Sequence, residues 1–314
     1  MAPTTGRAGL YIGIVLLAMT LGLVYQLRAD GLFACPAEGY GDNRFLAYCN
    51  AGAYGDYDHG AFWFGLEPRA VEAAESADVL FVGSSRMQFA LSAESTAEWF
   101  DSRGLSHYLL GFSHTENVAF TTPLLRDLEP RARFYVINVD DFFADNPTPP
   151  AANIFAAKDA PGQYTRKRLW QFVHEPLCSV VPFVCGSELA FYRRYDDGHW
   201  VLNGTDSVSP SGVGDANERG EVADRTFELA RKFVERLPVS RSCVLLTLAP
   251  SERTPRRRAV EIAQVLGLPL VAPSNQNLRT FDGSHLDPDS AEAFSRMFLA
   301  EAGGHIADCL GDEA

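Results

Sequence analysis

Ala77-Asp-Val-Leu-Phe-Val-Gly83 runs directly into Ser84-Ser85-Arg86-Met87. The first part is a short, nearly unbroken apolar run with two valines and a phenylalanine. A strand with one wet face would alternate apolar and polar residues, so an unbroken run reads as a strand covered on both faces. Working outward, four more runs share this character: SHYLLGF (106–112), RFYVINV (133–139), SCVLLTL (242–248) and LPLVAP (268–273). The stretches TENVAFTTPLLRDLEP, EVADRTFELARKFVERL and TPRRRAVEIAQVLG lie among them, with apolar residues at helical spacing. Thr254-Pro255 reads as an N-cap followed by a first-turn proline for the last of these. Buried strands alternating with amphipathic helices predict an α/β fold. The expected form is a doubly wound, flavodoxin-like, mostly parallel five-stranded sheet. Ligands of such sheets gather outside the carboxyl ends of the strands.

Ahead of this body, Ala8 to Leu27 is twenty residues without a charge, bounded by Arg7 and Arg28. A helix of about twenty residues crosses a hydrocarbon layer of about 30 Å. A cleaved signal peptide normally has an apolar core of only ~7–15 residues. One uncleaved anchor is therefore expected over residues 1–28, with no second span. Residues 29–70, rich in Gly, Asp and aromatics, are read as an irregular lead-in, and 71–314 as the α/β domain. Within that domain, 142–221 interrupts the strand–helix rhythm and is read as an insertion. The six cysteines fall in three groups: Cys35 and Cys49, Cys178 and Cys185, Cys243 and Cys309. None has a CxxC spacing, so disulfides in an oxidising compartment are expected, with the connectivity open. The expected location is the cytoplasmic (inner) membrane, single-pass, with the body exported. A net charge of −13 argues against nucleic acid as a partner, which would require a basic face.

Two places carry chemistry. A glycine followed by serine at a strand's carboxyl end allows a sharp turn that exposes a hydroxyl, as at Gly83-Ser84-Ser85. Near the C-terminus, Phe281-Asp-Gly-Ser-His-Leu286 places Asp282 and His285 three apart, just before Asp287-Pro288. The latter pair reads as the cap and first turn of a closing helix. A serine needs an adjacent base, and that base needs an orienting acceptor. Both sites are expected to fall at carboxyl ends of strands in one sheet.

These two blocks resemble the SGNH/GDSL hydrolases, whose serine follows the first strand and whose Asp and His share a D-x-x-H block near the C-terminus. The resemblance covers roughly residues 77–303, without the insertion. It implies Ser85 as nucleophile, His285 as general base and Asp282 as its orienter. It also implies Gly111 as a second oxyanion donor. The family's third donor is an asparagine after the third strand. Here Ile137-Asn-Val-Asp-Asp-Phe142 puts Asp140 at that place, with Asn138 two residues earlier. Strand alternation expects Asn138 and Asp140 on one face. The GSSR form and the single anchor look most like the membrane-anchored branch that handles alginate O-acetylation and teichoic-acid D-alanylation. The implied function is acyl-ester hydrolysis or O-acyl transfer on an envelope glycan. The implied partners are an acylated glycan or acyl donor and an envelope acyl-transfer complex. The alternatives are a small-molecule or lipid esterase, and a non-catalytic anchored scaffold. No cofactor is expected, and no metal. His107, His114, His174 and His199 form no H-x-x-x-H pattern and are read as solvated or structural.

Overall fold

A computed structural model describes residues 5–29, 31–52, 54–203, 210–218, 221–274 and 276–311. In chain order the helix α1 (Thr5–Ala29) is followed by β1 (Arg44–Cys49), β2 (Gly55–Asp56), α2 (Asp58–Trp63) and α3 (Pro68–Ser76). Next come β3 (Val79–Ser84), α4 (Ser85–Ala90), α5 (Ala93–Asp101), β4 (His107–Phe112), α6 (Val118–Leu128) and β5 (Phe134–Asn138). The middle of the chain forms α7 (Pro149–Ala156), α8 (Ala160–Val180), β6 (Ala190–Arg194), β7 (Trp200–Asn203) and β8 (Ser211–Gly212). It closes with α9 (Asp224–Val234), β9 (Val244–Thr247), α10 (Arg256–Leu266), β10 (Leu270–Val271), β11 (Arg279–Thr280) and α11 (Pro288–Leu310).

The chain divides into two compact units: residues 1–57, 162–192 and 201–206, and residues 58–161, 193–200 and 207–314. The second holds the five-stranded sheet, in the order β10-β9-β5-β3-β4. All four pairings are parallel. The five apolar runs of the sequence hold these five strands, with β3 reaching one residue further, to Ser84. All residues of β3, β4, β5 and β9 are buried, which is why their sequences do not alternate. The chain winds from β3 to β4 on one side, then crosses back to β5 on the other. In open α/β sheets ligands bind at such a reversal, here at the carboxyl end of β3. Phe81, Leu109, Val136, Leu245, Phe294 and Phe298 belong to the core beneath it.

In the first unit α1 is long and apolar enough to cross a membrane: Ala8–Gln26 has a mean hydropathy of 2.1 and none of it is buried. The lead-in over 29–70 is not irregular throughout. It contains β1, β2 and α2, and the order β2-β1-β6-β7 forms a four-stranded sheet. The reason this was not legible is that β1 finds a partner in β6, which comes far later in the chain. Within this unit Gln171 of α8 bonds both backbone groups of Leu46, with its amide donating to Leu46 O at 2.9 Å. The stretch 142–221 is likewise not one insertion, since its residues are shared between the two units. The six cysteines form three disulfides: Cys35–Cys49, Cys178–Cys185 and Cys243–Cys309.

Candidate active site

Ser85 is the first residue of α4, directly after β3, so the strand-to-helix turn lifts it out of the sheet. Ser84 caps the helix: its hydroxyl accepts from Arg86 N at 3.2 Å. The second half of the site sits on the loop between β11 and α11. Gly283 has φ +83°, a left-handed backbone that glycine takes without a Cβ penalty. Asp282 Oδ1 accepts the backbone N–H groups of Ser284 (2.9 Å) and His285 (2.8 Å), which closes the turn. Its other oxygen, Oδ2, accepts from His285 Nδ1 at 2.6 Å. With the Nδ1 proton committed to the carboxylate, Nε2 carries a lone pair. It lies 2.8 Å from Ser85 Oγ, which donates to it. Asp287 caps α11 through Ser290 N at 2.8 Å, with Pro288 in the first turn, as the sequence suggests.

Ser85, His285 and Asp282 thus form one hydrogen-bonded chain assembled from residues 200 positions apart. Such a chain is the arrangement by which a hydroxyl becomes a nucleophile. Burial works to raise the Asp282 pKa. The His285 hydrogen bond and charge and the two N–H donors outweigh it, so the carboxyl stays below its usual range. Phe281 stacks on the imidazole (centroids 5.6 Å, 21°) and Phe89 meets it edge-on at 4.9 Å. These rings hold the base in place, and the sequence signals neither of them as part of the site.

Arg86 joins the two halves. Its Nε donates to Ser284 Oγ at 3.0 Å, and its Nη1 lies 3.7 Å from Asp140 Oδ2. Asp140 is buried and accepts from Ser84 Oγ at 2.7 Å. Burial raises its pKa, with Arg86 and Ser84 pulling the other way. Its carboxyl is therefore met by two residues of the β3–α4 turn. Asn138 ends β5, so the strand alternation expected to align it with Asp140 does not extend that far. Its Oδ1 accepts from Ala249 N at 2.8 Å, while Nδ2 is buried without a partner.

Gly111 pairs with Gly83 across β3 and β4. A Cβ there would meet Ser84 O at 2.6 Å, so glycine is required by the close approach of the β3–α4 turn. Its carbonyl accepts from Gln88 Nε2 (3.0 Å) and from the Arg193 guanidinium on the outer edge of β4. In an extended strand a residue's N–H and C=O leave on the same edge, and Leu109 bonds to Asp197 O on that edge as well. The Gly111 N–H is thus turned to the outer edge, which corrects its expected role as oxyanion donor. The sequence reading also missed Arg193. Wholly buried, it makes a two-pronged ion pair with Asp58 and donates to the carbonyls of Leu109 (2.6 Å) and Gly198 (3.0 Å).

α10 begins at Arg256 with Pro255, not Thr254, at the N-cap. Thr254 instead uses its hydroxyl within the preceding turn, accepting from Ser251 N at 3.0 Å. Of the histidines read as solvated or structural, His107, His174 and His199 are buried. Burial pushes their pKa values down to about 3, 4 and 3. Comparison with protein-family models, curated proteins and solved structures finds no match for the chain.

Proposed function

We propose that the second unit is a serine-dependent acyl-ester hydrolase or O-acyltransferase of the SGNH type, acting on an acylated envelope glycan. The observation that carries this reading is the continuous chain from Ser85 Oγ through His285 to Asp282, at 2.8 and 2.6 Å. The strand order, with a switch of direction at β3, supports it by putting the nucleophile where such sheets receive ligands. Ser85 Oγ attacks the acyl carbon while its proton passes to His285 Nε2. Asp282 holds the Nδ1 proton and stabilises the imidazolium that forms. The oxyanion is met by the backbone N–H of Ser85 at the start of α4. Collapse of the tetrahedral intermediate expels the donor's alkoxide, which takes the proton back from His285, and leaves an acyl-Ser85 ester. A water or sugar hydroxyl then gives its proton to His285 and attacks that ester, which frees the acyl product and restores the serine.

The anchor and the disulfides support an exported body. α1 is long enough to span, and three disulfides fit an oxidising compartment outside the cytoplasmic membrane. An envelope polymer or an acyl-transfer complex would then lie within reach.

A fluorophosphonate probe tests the nucleophile. Wild type should be labelled, and Ser85→Ala should lose essentially all labelling. A folded wild type that is never labelled, or a Ser85→Ala protein labelled equally, would sink the assignment. Acetyl release assayed with and without added glycan separates the transferase from a small-molecule esterase: acceptor-dependent turnover is the result expected here.

A further inference from the structure

Away from the serine site, the second unit gathers three side chains that nothing in the proposed reaction uses. His107 opens β4, while Asp197 and His199 lie on the turn between β6 and β7, some ninety residues later. A ligand-type atom from each lies within 4.8 Å of the others. All three residues are buried: His107 and Asp197 are 7 % exposed and His199 only 1 %. The Nε2 atoms of both histidines are buried with no hydrogen-bond partner. Leaving two such atoms unmet is costly, and buried polar atoms in folded proteins normally have partners.

The surroundings explain what would satisfy them. His199 makes a hydrogen bond to the Leu91 backbone. Because Nε2 has no partner, that bond falls to Nδ1, which fixes the tautomer and leaves the Nε2 lone pair free. A ring nitrogen donating to a carbonyl while the other faces a ligand is the usual second contact of a metal-bound imidazole. Asp197 is oriented in the same way. Its Oδ1 accepts from His199 N at 3.2 Å and its Oδ2 pairs with Arg194 at 3.0 Å. Each carboxylate oxygen keeps a further lone pair after these bonds. Phe100 stacks on the His107 ring at 4.5 Å, and the two imidazoles stand nearly perpendicular at 5.7 Å. The second histidine–cysteine group, His174 with Cys178 and Cys185, is not comparable, because both sulfurs are in a disulfide.

We infer that His107, Asp197 and His199 form a binding site for a divalent transition ion of the zinc class. Two imidazoles and one carboxylate suit such an ion better than magnesium or calcium, which prefer an all-oxygen shell. A solvent molecule completes four-coordination. The ion draws the three ligand atoms together and fastens the β6–β7 turn to the edge strand β4. Through Leu91 it also fixes the end of α4, the helix that begins with the nucleophile. This inference does not depend on the reaction proposed for Ser85.

The test uses the untagged full-length protein in detergent, stripped with a chelator and then offered zinc chloride or cobalt chloride. Wild type should take up about one zinc per chain and show the visible absorption of four-coordinate cobalt. Added zinc should raise its melting temperature. His199→Ala and Asp197→Asn should hold at least tenfold less zinc and show no such rise, whereas Ser85→Ala should bind zinc as wild type does. His107→Gln, which keeps polar bulk at the strand, guards against simple unfolding; its near-ultraviolet spectrum reports folding. A reconstituted wild type that binds neither ion overturns the inference. So do folded His107→Gln or Asp197→Asn proteins that retain zinc undiminished.

Discussion

Asp282 divides its work between its two oxygens. One closes the turn by accepting two backbone N–H groups, and the other fixes the histidine tautomer. The turn and the orienter are therefore the same residue, and neither role can be changed without disturbing the other. Asp140 presents the opposite case, a carboxylate held at a cost. Burial raises its pKa, so the folded protein holds that proton more tightly than the unfolded chain. Stability linked to this group therefore increases as pH falls through the raised folded value, and levels off below the unfolded one. At neutral pH, above the unfolded value, that penalty is present. Asp140→Asn should then raise stability at pH 7 relative to wild type. The amide oxygen can still accept from Ser84, and Arg86, which loses its ion pair, has 21 % of its side chain exposed to water. Thermal melts of both proteins across pH should show the gain vanish in acid. A variant less stable at neutral pH would mean that the Arg86 pairing outweighs the cost of burial.

At the scale of elements, α11 matters most for the site, because its N-terminus frames the Asp282–His285 loop. Its cap, Asp287, bonds Ser290 N at 2.8 Å. Asp287→Ala should cost about 1 kcal/mol, read by denaturant titration, and should lower turnover by loosening the loop. No loss in either measurement would make the cap irrelevant to the site. How much of this was legible follows from which interactions are local. The strands β3, β4, β5 and β9 were readable because burial on both faces leaves an unbroken apolar signature. The Asp282–His285 loop was readable because its partners are three residues apart. Gly111 was named only as an oxyanion donor; its close approach to Ser84 O depends on register, which no local pattern records. The Asp58–Arg193 pair and the His107–Asp197–His199 cluster were invisible for the same cause. Each joins residues from distant parts of the chain, without a spacing that marks them.

For the whole molecule, the covalent links set the stability available to everything else. Cys243 precedes β9 and Cys309 lies in the last turn of α11, with 66 residues of sequence separation. Closing a loop of that size restrains the unfolded chain by about 4 kcal/mol in the chain-entropy account. Replacing both cysteines by alanine should reduce unfolding free energy by roughly that amount, measured by denaturant titration under oxidising conditions. A change near zero would show that the link adds nothing to the packing of α11 on the sheet. The same bond has a bearing on how the protein is made. Produced in a reducing cytosol, the chain would emerge with six thiols and without this clasp on the helix behind the Asp282–His285 loop. Material from such a preparation could test as inert although every residue of the site is intact. Oxidative secretion is therefore the production route against which any report of inactivity should first be checked.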